Sequence, residues 1–62
     1  MDLNKYAMLK ATLPGRGTIS IGRIKNDLKV DTDEAQEILD NLIQEGMVEA
    51  YSLDGTNFRV LV

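Results

Sequence analysis

Seven cations, ten carboxylates and no histidine or cysteine define the chemistry open to these 62 residues. The usual zinc ligands are missing, and so are disulfides and the common nucleophile–base pairs. A Ser, Lys or Asp in a pocket would have to carry any catalysis, and a domain this small has little room for one. No enzyme activity, catalytic residue or cofactor is expected. What remains is charge placed to meet charge. Arg16, Arg23, Lys25 and Lys29 stand close together along the chain, and their types suit phosphate oxygens. Arg59 is a lone cation near the other end. Asp33, Glu34, Glu37 and Asp40 form an opposite set, suited to docking a basic protein or to mimicking a phosphate backbone. Thr32, Gln36, Asn41 and Gln44 lie among them as neutral groups able to touch base edges. Asp31-Thr32-Asp33-Glu34 offers too few ligands for a calcium loop, so no metal is expected.

The net charge of −3 conceals a split. Residues 1 to 29 hold six basic side chains against Asp2 and Asp27, a balance of +4. Residues 30 to 62 hold Arg59 against eight carboxylates, a balance of −7. One molecule can thereby present two surfaces of opposite potential, only one of which attracts a polyanion.

The elements that must position these charges can be read in order. Asp2 can cap a first helix over about Leu3 to Leu13, with Leu3, Tyr6, Ala7, Leu9 and Leu13 as a loose apolar face and Pro14 as its stop. Gly15-Arg16-Gly17 reads as a plain connector, without the spacing of a nucleotide-binding loop. Thr18-Ile19-Ser20-Ile21 is a short apolar run leading into a second helix. That helix has Ser20 as N-cap and a buried face of Ile21, Ile24 and Leu28. A third helix starts near Thr32, where Asp31 and Glu34 make an Asp form of the capping box, and stops at Gly46. Ala35, Ile38, Leu39, Leu42 and Ile43 share one arc of it, the clearest helical period in the chain. Met47 to Ser52 and Asn57 to Val62 alternate as paired strands around Leu53-Asp54-Gly55-Thr56, which has the residues a hairpin turn needs. The fold class is α+β, with a core of Leu3, Tyr6, Leu9, Ile21, Ile24, Leu28, Ala35, Ile38, Leu39, Leu42, Val48, Phe58 and Val60.

This order, from Thr18 to Val62, resembles the winged helix-turn-helix class: three helices and a C-terminal two-stranded β-hairpin wing. More closely it resembles the gamma domain of FtsK-type DNA translocases. The likeness rests on Thr18-Ile19-Ser20-Ile21, the Lys29-Val30 turn, the string from Leu42 to Val48, and the closing Phe58-Arg59-Val60-Leu61-Val62. The resemblance implies a module that reads DNA with its third helix and touches the backbone with its wing. The family presents basic and amide side chains along the start of that helix, whereas this chain presents Asp33, Glu34 and Glu37. Carboxylates only accept hydrogen bonds, chiefly from cytosine N4, and they repel phosphates. The family's reading residues therefore do not transfer to these positions.

Two functions are expected as alternatives. The first is weak DNA binding dominated by the backbone, with Arg16, Arg23, Lys25, Lys29, Thr32, Gln36 and Arg59 as the binding residues. The second is a protein-interaction module that docks a basic partner on Asp33, Glu34, Glu37 and Asp40. Residues 1–62 read as one small domain, either free or cut from a longer polypeptide, alone or as a homo-oligomer. With no apolar run near the roughly 20 residues of a membrane span, and no signal-peptide pattern, the expected location is the cytoplasm.

Overall fold

Each helix begins at a side chain able to close its first turn. Asp2 accepts hydrogen bonds from the Asn4 and Lys5 amides at 2.9 and 3.3 Å and opens α1 (Leu3–Thr12). Ser20 accepts from the Arg23 amide at 3.2 Å and opens α2 (Ile21–Leu28). Asp31 accepts from the Glu34 amide at 2.8 Å and opens α3 (Thr32–Gln44). In each case a side-chain oxygen satisfies amides that have no partner within the helix. The reciprocal half of the Asp31–Glu34 box is not made, and Glu34 Oε2 is buried without a hydrogen-bond partner. These positions come from a computed structural model that describes residues 2–51 and 57–62.

The helix ends follow from the backbone. α1 stops at Thr12, one residue short of the expected limit, with Leu13 as its C-cap and Pro14 next. After α3, Gly46 takes φ +76°, the Gly46 amide donates to the Ile43 carbonyl and the Met47 amide to the Leu42 carbonyl, both at 3.0 Å. Those crossed bonds form a Schellman closure, and glycine is the residue that adopts its left-handed position without strain. Lys29 fills the equivalent place after α2 with φ +54°, and the Val30 amide reaches the Lys25 carbonyl at 3.2 Å.

Three short strands complete the fold: β1 (Thr18–Ser20), β2 (Val48–Ala50) and β3 (Asn57–Val60). β3 is central, antiparallel to β1 on one side and to β2 on the other. The expected two-stranded wing is thus incomplete, since Thr18–Ser20 joins as a third strand rather than merely leading into α2. β2 and β3 are also shorter than expected, and Leu61 and Val62 lie beyond the strand, about half exposed. Ser52 and the turn expected at residues 53–56 lie outside the described residues.

The core gathers Tyr6, Leu9 and Leu13 from the first helical segment, Ile24 and Leu28 from α2, and Ala35, Ile38, Leu39 and Leu42 from α3, over Ile19, Val48 and Val60 of the sheet. Ile21 and Phe58, expected inside, are partly buried at its margin. Leu3 corrects the expectation outright, being 70% exposed. A step of about 100° per residue carries Leu3 to the edge of the face set by Tyr6, Leu9 and Leu13, on a first turn that other elements do not cover. Ile43 lies at the edge of the α3 face for the same reason and is 42% exposed. Leu13 and Ile19 take their place as core residues, at 0% and 2% exposure.

Candidate nucleic-acid interface

The expected basic set divides in two around α2. The two glycines of Gly15-Arg16-Gly17 adopt φ +79° and +86°, a left-handed path that turns Arg16 back over the helices. Its guanidinium donates to Thr12 Oγ1 at 3.1 Å and to Asp27 Oδ2 at 2.6 Å. The Arg23 Nε donates to the same Asp27 oxygen at 3.3 Å. Arg16, bonded to it, and Arg23, beside it, hold the Asp27 carboxyl below its ordinary range despite partial burial. Two guanidiniums against one carboxylate leave a single excess positive charge. Lys25 lies roughly 160° around the helix from Arg23, on the opposite flank. Lys29, at the left-handed turn, extends that second flank. Neither lysine forms an ion pair with another described residue.

Arg16 and Arg23 line an open cleft of about 330 Å³ together with Thr18, Ile19, Ser20 and Asn57. The cleft lies where β1 passes into α2. Its lining is chiefly polar, and the unshared amides of the first α2 turn add partial positive charge there. Behind it, Arg16 and Asp27 also border a smaller hollow of about 240 Å³ walled by Met8, Leu9, Thr12 and Leu28, between α1 and α2. Arg16 lines both, and Asp27 only the second.

Arg59 is on central strand β3, where it pairs with Thr18 of β1. It stands opposite Glu49 in the register, with 3.6 Å between charges, and its guanidinium carbon lies 5.3 Å from the centre of the Tyr51 ring. Thr32 and Gln36 are both on α3, and the Gln36 amide donates to Asp40 Oδ1 at 2.9 Å. Among the described residues, no hydrogen bond joins Thr32 or Gln36 to the cations.

The acidic set occupies the face of α3 turned away from the core. Asp33, Glu37 and Asp40, at i, i+4 and i+7, are exposed along one ridge. Glu34 lies off it, half-buried toward the flank. Among the described residues, no group of three or more acidic side chains is gathered as metal ligands would be. Nor is any described helix long and apolar enough to cross a membrane.

Sequence reasoning missed Asp27 as the counter-ion of the two arginines, although its i, i+4 spacing from Arg23 was a usable signal. It also missed Thr18, Ser20 and Asn57 as cleft residues. Only the alternation of Asn57 and Arg59 with Phe58 and Val60 hinted at their facing. In comparisons with protein-family models, curated proteins and solved structures, the chain matches none.

Proposed function

We propose that the chain is a small winged-helix module that holds a duplex DNA backbone along α2, weakly and without reading bases through α3. The observation that carries this reading is the separation of charge between the two helices. Arg16, Arg23, Lys25 and Lys29 surround the exposed side of α2, while the outward ridge of α3 bears Asp33, Glu37 and Asp40. A phosphate strand laid along α2 would have Arg23 on one side and Lys25 and Lys29 on the other. Gly22 between them carries no side chain, and apart from its chain neighbours and the backbone of its own helix no atom lies within 4 Å of where its Cβ would be, so the helix is open to close approach there. An α3 inserted in the major groove would bring three carboxylates between two phosphate chains, which repel them.

A salt titration with generic duplex DNA tests the reading. Asp27 offsets one of the two arginines, so about three phosphates are neutralised. With about −0.9 per phosphate, log K should then fall against log salt with a slope near −3. Changing Lys25 and Lys29 to Gln should weaken binding and flatten the slope. Changing Asp33 and Glu37 to Gln should strengthen it. Absence of binding at about 20 mM salt, where screening is weak, would rule the reading out.

The acidic ridge of α3 favours a second reading, in which a basic protein segment docks there. It expects the opposite pattern: no DNA affinity at low salt, and loss of a basic partner when Asp33 and Glu37 are neutralised.

A further inference from the structure

The sheet has an outward side that the duplex reading does not use. Alternation along the strands sends Ile19, Val48 and Val60 into the core and their neighbours outward. Register then orders the outward residues into two rows. The Tyr51 amide donates to the Asn57 carbonyl at 3.1 Å, and Asn57 faces Ser20, so Tyr51, Asn57 and Ser20 form one row. Glu49, Arg59 and Thr18 form the next. With strands about 4.8 Å apart, Tyr51 is roughly 10 Å from β1, within the span of a dinucleotide. The first row runs directly into the cleft, where Asn57 and Ser20 meet Arg16 and Arg23.

Tyr51 is the one exposed aromatic side chain among the described residues, at 56%. Arg59, diagonal to Tyr51 in the register, holds its guanidinium over the ring, so a base would stack against the part of the ring that it leaves exposed. An exposed ring with a guanidinium next to it offers a flat surface on which an unpaired base can stack, and a paired base cannot present its face to it. Arg23 uses only its Nε on Asp27 among the described residues, leaving its terminal nitrogens to donate. Glu49 offsets the Arg59 charge at the β2 side, so the excess positive charge bordering this face lies at the β1 side, with Arg16 and Arg23.

We propose that this outward sheet face binds single-stranded nucleic acid, with one base stacked on Tyr51 beside Arg59 and an adjoining phosphate in the Arg16–Arg23 cleft. The site shares those two arginines with the duplex surface and otherwise uses different residues, so the two readings can fail separately.

Fluorescence anisotropy at about 20 mM salt, with a labelled oligothymidylate of about ten nucleotides and a duplex of equal length, tests the proposal. Tyr51→Ala should weaken single-strand binding about tenfold, the scale of one lost base–aromatic stack, and leave duplex binding unchanged. Tyr51→Phe should retain the affinity, since the ring and not the hydroxyl is used. An oligomer with its bases removed should bind wild type no better than it binds Tyr51→Ala. Lys25→Gln with Lys29→Gln should lower duplex affinity and spare the single strand. An unaltered thermal transition of Tyr51→Ala shows that the loss is not one of folding, and Arg59→Gln, on the same platform, should also weaken single-strand binding and spare the duplex. The proposal is overturned if wild type does not bind the oligomer, if Tyr51→Ala binds it equally well, or if single-strand and duplex affinity fall together in that variant.

Discussion

Glu45 closes α3 and at the same time holds two side chains of α1. The Tyr6 hydroxyl donates to Glu45 Oε2, and Lys10 Nζ donates to Oε1 at 2.9 Å while lying 5.1 Å from the centre of the Tyr6 ring. Burial, reinforced by the carboxylate, pushes the Tyr6 phenol up to about 12. Lys10, and then Tyr6, hold the Glu45 carboxyl below its ordinary range. The signs are opposite in effect. Tyr6 binds its proton more tightly when folded, so its contribution is complete below about pH 10 and disappears as pH rises toward 12. Glu45 and Asp27 bind theirs less tightly when folded. Their contributions are present above the usual carboxylate range and are lost as pH falls below it. Denaturant melts at stepped pH should therefore decline at both extremes. In an ultraviolet titration of the phenolate band, Glu45→Gln should move the Tyr6 midpoint down. A midpoint unchanged by that substitution would show that Glu45 does not act on the phenol.

α3 is the element whose packing was clearest, and core truncation there should reveal it. Leu39 is fully buried, so Leu39→Ala should cost about 2–5 kcal/mol, a large share of the stability of so small a domain. Leu3→Ala, at an exposed first turn, should stay within about 0.5 kcal/mol. Paired thermal melts of the two variants check both, and similar losses would misplace the core. The three helices were legible in sequence because caps and periods are local: Asp2, Ser20 and Asp31 signal starts, and Ile38, Leu39 and Leu42 mark one arc. β1 was not legible. Three residues are too few to display a period, and the partner of Ile19 is Phe58, nearly forty positions away. The same distance hid the cleft, because Asn57 reaches Ser20 only through that pairing. The basic and acidic sets were legible as types. That Asp27 joins Arg16 to Arg23 depended on a loop bend at two glycines, which spacing alone does not reveal.

On the scale of the whole molecule, the charge split along the chain becomes a split in space, because α2 and α3 turn different residues outward. The sheet has a different organisation, since its central strand is β3, the last element in the fold. Thr18–Ser20 and Val48–Ala50 pair with it on either side and not with each other. A chain ending at Tyr51 should therefore keep helical signal at most, without a cooperative melt, and circular dichroism on that fragment would test this. A sharp transition would mean that the helices fold without the sheet. The order has a consequence for biosynthesis. Synthesis makes the helices first, and both flanking strands must wait, edges open, until Asn57–Val60 is available to pair. Until then Ile19 and Val48 have no sheet to shelter them, and the nascent domain is most exposed to misassociation just before β3 joins.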